Sequence, residues 1–596
     1  MDPPRVYNEA LEHLRAGRID PAMELFAELL RVFPDHPETL HLMAVAKHKN
    51  GDPVSAEPLL RRAVARKPRE AMFWNNLGLI LFDLCRYQDA VDCYRRAVEL
   101  QGNYGRAYMN QGNALRQLYR LDEALACYDR ALEISPGDPD AHLNRGNVLL
   151  DRRLPQDALT EFRTALALDP HNVNARNNLI FTLDFVSGIG FAESQAARKS
   201  WYEMHGKPFA ASVSPHGNDR RPDRRLRLGY VSADFCKHSA SDAFGVVLRH
   251  HDHSQFEVVC YSGTVIEDES TRGFKAVADR WFSTAGWSDA VMAEHIRDDR
   301  IDILIDLSGH SAGSRLPVFA RKPAPIQVQG WGYGTGTGLP TMDYLFSDPV
   351  AIPAEMRPLF SETVIDLPCA MPYEMPVYAP AVSPLPASLG QPFTFGCLNR
   401  LSKVTDAVLA VWARVLHRLS RARLLLKDGR LDDPAVRASV LQTLARSGIS
   451  NDRVVLLGRS SHADQLAAYA QIDIALDPFP QNGGITTYEA LSMGVPVIAL
   501  LGHSQAGRTA ASILSIIGLG DWVAGTEDEY VALAVQKASD ESALAHTRAE
   551  LRRRLTASPA GDAAGYTRLA EAAYRKMWER WCADQAVEPR RDPSSG

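Results

Sequence analysis

The stretch best equipped for chemistry is LDPFPQNGGITTYEALSMGVPVIAL, residues 476–500. A buried strand runs there into a glycine-containing turn, Asn482-Gly483-Gly484. A helix then opens at Ile485-Thr486-Thr487 and closes at Gly494-Val495-Pro496. The first amides of a helix lack intrahelical partners and sit at the positive end of its dipole. They would hold a phosphate, with both threonine hydroxyls adding bonds. Glu489 lies three residues after Thr486, on about the same helix face, where a carboxylate could accept the two hydroxyls of a ribose. The bland alternative is an ordinary capped helix, but a cap needs no Gly-Gly followed by Thr-Thr and Glu. Neither GxxxxGK(S/T) nor GxGxxG occurs, which counts against a P-loop or dinucleotide enzyme.

The elements that must position this turn are short β-branched runs alternating with helical patterns. Residues 225–235, 256–263 and 302–310 read as buried parallel strands. A second set follows at 393–400, 422–429, 453–459, 472–479 and 496–502. Between them lies the proline-rich YEMPVYAPAVSPLPASLGQP, 373–392. Two α/β lobes so joined predict two doubly wound sheets facing a cleft, with the ligand outside the carboxyl ends of the strands. A nucleotide-sugar transferase of the GT-B type fits this pattern.

The N-terminal third is periodic. Pro34, Pro68, Pro136 and Pro170 keep a step of 34, with Gly102 in the gap. Gly78, Gly112 and Gly146 keep it too, as do Ala22, Ala56, Ala90, Ala124 and Ala158. Aromatics follow four residues after most of those alanines, at Phe26, Tyr94, Tyr128 and Phe162. Small residues where two helices cross, an aromatic in the next gap and a terminal proline describe a helix–turn–helix unit. The array resembles tetratricopeptide repeats over about 4–185, forming an α-superhelix. Asn76, Asn110, Asn144 and Asn178 share the step. Asparagine is a poor mid-helix residue, and a ladder of amides on the inner surface would bind an extended acceptor backbone without reading its sequence.

Composition sets the outer bounds. Lys plus Arg number 66 against 72 Asp plus Glu over 596 residues, a formal charge of −6, which argues against a protein devoted to nucleic acid or anionic membranes. No apolar run approaches the ~20 residues of a membrane span, and the polar N-terminus has no signal-peptide core. Eight scattered cysteines without CxxC pairs read as reduced thiols, and the expected location is cytoplasmic. The expected organisation is repeats over 1–185, a linker over 186–222, a first catalytic lobe over 223–375 and a link over 376–392. A nucleotide-sugar-binding lobe over 393–586 follows, closed by an amphipathic helix near 565–586, and then a disordered tail over 587–596.

Four motifs add a resemblance. GYVSADFCKHSASDAF, PAPIQVQGWGYGTGTG, CLNRLSKVTDAVLAVWARVL and PFPQNGGITTYEALSMGVPV, following the repeats in this order, resemble protein O-GlcNAc transferases and their plant SPINDLY-type relatives. The resemblance implies an inverting transfer of a sugar from a nucleotide donor to Ser or Thr hydroxyls of proteins, without metal or other cofactor. It places His238 against the acceptor, as general base or as a positioning group, and Lys403 on the donor phosphates. Thr486, Thr487 and Glu489 match phosphate and ribose contacts; Asn399, Gly483 and Arg508 lie in donor-binding segments.

Some positions depart from the animal pattern. Asp302 stands where animal members have an active-site histidine, and Arg400 replaces a glutamine beside the lysine. Gly484 replaces a stacking histidine and Gln481 a cysteine, while His462, Gln465 and Ala468 stand where uracil is framed. Arg400 could bind a carboxylate bidentately, so three donors stay open. They are UDP-GlcNAc first, a CMP-nonulosonic acid as in flagellin glycosyltransferases second, and GDP-fucose third. The expected partner is an acceptor protein, flagellin among the options, and a homo-oligomer is open. A repeat adaptor with an inactive transferase domain is the rival from another class.

Overall fold

A computed structural model describes residues 2–584. They form two compact units. One comprises the chain up to Arg152 with Thr160–Pro170; the other comprises Arg153–Leu159 with the described chain from His171 onward.

The first unit is built of antiparallel helix pairs. Pro3–Arg15 pairs with Ile19–Val32, Pro37–Lys49 with Pro53–Arg66, Ala71–Asp83 with Tyr87–Leu100, and Gly105–Gln117 with Leu121–Ile134; Pro139–Asp151 precedes Pro155–Leu168. The period has a steric cause. A Cβ added to Gly78, Gly112 or Gly146 would lie 2.5, 2.7 or 2.5 Å from the ring of Tyr94, Tyr128 or Phe162. Only glycine lets the aromatic of the second helix press onto the backbone of the first. Gly112→Ala should therefore cost about 1–3 kcal/mol by overpacking. Equilibrium urea unfolding of the repeat transition checks this, and an unchanged midpoint would refute it. The turn within each pair bends through a left-handed residue at the same step, at Gly17, Gly51, Cys85, Tyr119 and Arg153.

The second unit holds two parallel sheets. The first comprises β1 (Leu226–Ser232), β2 (Phe256–Ser262), β3 (Arg280–Ser283), β4 (Ile303–Asp306), β5 (Ile326–Gln329), β6 (Tyr344–Ser347) and β7 (Thr363–Asp366), in the order β3-β2-β1-β4-β5-β6-β7. The second comprises β8 (Thr394–Cys397), β9 (Arg423–Lys427), β10 (Val454–Leu457), β11 (Ile474–Leu476), β12 (Val497–Leu500) and β13 (Val523–Ala524), in the order β10-β9-β8-β11-β12-β13. Each sheet reverses its winding beside its first strand, so each has a switch point, between β1 and β4 and between β8 and β11. Strands β1, β2, β4 and β8 to β12 match the sequence reading. The four-residue strands β3, β5, β6 and β7 are too short to show a period.

Two expectations are corrected. Segment 186–222 is no linker over its first half. Helix Phe191–Trp201 continues through Tyr202–Gly206 and Lys207–Ser212. Trp201 is fully buried with Val231 and Leu304 of the first sheet, and Phe191 packs on Leu345 and Phe360. The last repeat-like helix, Val173–Leu183, joins the same core through Ile180. Sparse large apolar residues, rather than a period, hold this segment down. The closing helix Ala563–Asp584 returns to the first lobe, where its Tyr566 hydroxyl accepts from Trp331 Nε1 at 2.8 Å and its Trp578 Nε1 donates to Arg221 O at 3.2 Å. The tail at 587–596 lies outside the described residues. Among the described residues no helix is long and apolar enough to cross a membrane.

Candidate active site

The two switch points carry the chemistry. At the end of β1 the chain turns through 233–238 into helix Ser239–Arg249, with His238 at its N-cap. His238 Nδ1 accepts from Ala240 N at 3.3 Å and lies 3.7 Å from Asp234 Oδ2, while about half of the side chain is exposed. The cap residue is thus the same residue that the resemblance places against the acceptor. Nδ1 faces both the Ala240 amide and the Asp234 carboxylate, so Nε2 is the ring nitrogen available to an incoming acceptor.

Lys403 closes a 3-10 turn, Leu401–Lys403, just past β8. Its Nζ donates to Asn482 O at 2.6 Å, the carbonyl of the residue that opens the Gly-Gly turn. Burial presses the ammonium down to about 8, with Asp477 opposing and Arg400 assisting. Arg400, three residues before Lys403, is solvent-exposed. Asp477, at the end of β11, is the residue that sequence reasoning missed. It is fully buried, its Oδ1 accepts from Gly483 N at 2.9 Å, and burial pushes its carboxyl up to about 7. Its signal was there, a charged residue closing an apolar strand in LDPF.

Gly484 caps helix Ile485–Ser492 with no side-chain bond, which leaves the positive end open. Thr486 Oγ1 donates to Asn399 Oδ1 at 2.7 Å, and Tyr469 donates to Thr486 O at 3.0 Å. A Cβ on Gly484 would meet the Met371 sulfur at 3.3 Å. Gln481 Oε1 and Asn482 Oδ1 are buried without partners, and buried acceptors of this kind ask for donors such as ligand hydroxyls.

Glu489 does stand at this site, but its oxygens are already engaged. Oε1 pairs with His462 Nε2 at 2.7 Å, and Oε2 accepts from Gln465 Nε2 at 3.4 Å. A ribose would compete with both. His462 Nδ1 also meets the Tyr378 hydroxyl at 2.7 Å, and the bond to Glu489 raises the imidazole above its ordinary range. Asp242, on the helix that His238 caps, is pushed up to about 6 by burial and then by Glu489. The ends of the two lobes therefore face each other.

Other candidates fall elsewhere. Arg508 is committed to backbone, donating to Val350 O at 2.8 Å and Gly502 O at 3.1 Å. Asp302 is not at the site. It precedes β4, at the amino end of the sheet, and makes a two-pronged pair with Arg224 at 2.6 Å on both arms. Among the asparagines, Asn76 Nδ2 meets His41 Nε2 at 2.7 Å, Asn75 Nδ2 donates to Asn76 Oδ1 at 3.1 Å, and Asn110 Nδ2 donates to Asn75 Oδ1 at 2.9 Å. These amides partly satisfy one another. Asn144 is half-buried on the next repeat, and Asn178 belongs to the second unit.

Paired Rossmann-type sheets with a phosphate-receptive turn on the second define a glycosyltransferase fold of the GT-B class. The profile of Glycosyl transferase family 41 matches residues 203–373 and 384–569, and tetratricopeptide profiles match within 13–80, 71–104, 112–151 and 140–180. The chain belongs to glycosyl transferase family 41. It is 37% identical over 426 residues to the probable UDP-N-acetylglucosamine–peptide N-acetylglucosaminyltransferase SPINDLY of Oryza sativa subsp. japonica, covering 70% of this chain and 46% of that protein. It is 30% identical over 374 residues to the corresponding SEC protein of Arabidopsis thaliana, covering 61% and 38%. The chain thus spans a little under half the length of the SPINDLY relatives it matches. A solved mutant of Thermobaculum terrenum O-GlcNAc transferase superposes with a TM-score of 0.82 at 32% identity, covering 86% of this chain and 98% of that one.

Proposed function

We propose that this chain transfers a sugar from a nucleotide donor to Ser or Thr hydroxyls of proteins, with inversion and without a metal. The observation that carries the reading is the half-buried Lys403 ammonium bonded to the carbonyl of Asn482, which opens the turn into the uncapped helix at Gly484. The donor's diphosphate sits against that helix end, and Lys403 takes the charge that develops on the leaving phosphate. The acceptor oxygen, oriented by His238 Nε2–H, attacks C1; the C1–O bond to phosphate breaks, and the hydroxyl proton passes to the departing phosphate. Gln481 and Asn482 receive hydroxyls of the donor.

UDP-GlcNAc is the first donor, in keeping with the names of the relatives. Arg400 at the mouth of the site favours a carboxylate-bearing CMP-nonulosonic acid second, and GDP-fucose is third. The test is nucleotide release from each of the three donors with an acceptor lysate present. UDP release is the expected result. CMP release would replace the sugar and assign Arg400 its carboxylate, and silence with all three would overturn the reading. The repeats hold the acceptor, so Asn110→Ala with Asn144→Ala should cut protein glycosylation about tenfold while sparing donor hydrolysis. Unchanged protein modification would remove the amide ladder from acceptor binding.

A further inference from the structure

The left-handed turn residue of each repeat falls at Gly17, Gly51, Cys85, Tyr119 and Arg153. This backbone conformation favours glycine and gains nothing from a long cationic side chain. The arginine at the fifth turn therefore has another cause. Segment Arg153–Leu159 groups with the second unit although the chain on both sides of it groups with the first. The Arg153 side chain is only 2% exposed. Its Nη1 donates to Val404 O at 3.0 Å and lies 3.1 Å from Asp406 Oδ1, and its Nη2 donates to Ser439 Oγ at 3.1 Å.

Two of those partners directly follow one short element. The turn that carries Lys403 is closed by Lys403 N donating to Arg400 O at 3.0 Å and Val404 N donating to Leu401 O at 2.9 Å. Asp406 opens the following helix, Asp406–Arg418, and Ser439 lies on helix Pro434–Arg446. One rigid, five-donor guanidinium thus joins the carbonyl just past Lys403 to two helices of the second lobe. A single-turn 3-10 element has little stability of its own, so its position depends on such outside contacts.

We infer that Arg153 is a positioning residue of the donor site, a repeat-turn arginine that clamps Val404 and so sets where Lys403 presents its ammonium. The kinetic consequence rests on the donor-site reading of Lys403; the clamp itself does not.

The test uses the full chain with Arg153→Ala and Arg153→Lys. Hydrogen exchange of the Lys403 and Val404 amides should quicken about tenfold in Arg153→Ala, with the β8 amides unchanged. Where the protein turns over donor, KM for the donor should rise about tenfold with a smaller loss in kcat. Arg153→Lys should recover only part, since an ammonium cannot bridge all three partners. Unchanged exchange at 403–404 would overturn the inference. So would a uniform rise across the second lobe, which would mean general destabilisation. Selective loosening of the turn without nucleotide release from the wild type would support the clamp and count only against the transferase reading.

Discussion

Lys403→Ala should lower nucleotide release by about 10²–10³-fold, roughly 3–4 kcal/mol of transition-state stabilisation, as for other preorganised groups that meet developing charge. The ammonium is held 2.6 Å from Asn482 O, so its position costs no reorganisation when the phosphate departs. Because burial brings Lys403 down to about 8, the sign of the pH dependence is set. The charged form is lost as pH rises through about 8, and kcat/KM for the donor should fall on that alkaline side. Bound diphosphate favours the ammonium, so the limb in kcat should lie at higher pH. Lys403→Arg, which does not titrate there, should lose the limb whatever its residual rate. An alkaline limb that survives in Lys403→Arg would assign the titration to another group. Turnover that survives in Lys403→Ala would remove the lysine from the chemistry.

The second large effect is expected at Gly483. A Cβ there would lie 2.6 Å from Thr487 Oγ1, 2.7 Å from Asp477 Oδ1 and 2.9 Å from Thr486 Oγ1. All three are side-chain oxygens, but Asp477 and Thr487 are buried, and Asp477 Oδ1 and Thr486 Oγ1 are held by hydrogen bonds, so making room for a Cβ disturbs the turn. Gly483→Val should therefore displace the turn, break the Gly483 N to Asp477 bond and weaken donor binding by at least about 100-fold. Stability should fall by about 1–3 kcal/mol, the usual cost of overpacking. Calorimetric titration with the nucleotide product, beside a thermal scan, separates the two effects. Undiminished binding in a folded variant would show that the phosphate does not use this turn. Asp477→Asn complements it: the amide keeps the shape but cannot balance Lys403, so the alkaline limb of kcat/KM should move to lower pH.

Much of the architecture was legible because its causes are local. The 34-residue step follows from Gly78, Gly112 and Gly146, each of which must sit beneath the aromatic sixteen residues on, within one helix pair. Strands such as β1, β2 and β8 are apolar enough to be read, and the Gly-Gly-Ile-Thr-Thr run announces an open helix end by composition alone. Strands β3, β5, β6 and β7 escaped because their order comes from neighbours already in the sheet. Segment 186–222 escaped because two large apolar residues ten positions apart make no pattern until a core receives them.

The sequence by itself determined the repeat array, the paired α/β lobes and the residue types at the two switch points. These depend on period, steric fit and backbone preference over a few residues. Tertiary structure alone decided which of those residues are brought together. Lys403 meets a carbonyl 79 residues away, and Arg153 reaches one 251 residues away. Glu489 is shared with His462 across 27 residues, Arg508 is taken by backbone, and Asp302 lies at the far end of its sheet. Hydrogen bonds and desolvation act through space, and only the packed chain sets those distances.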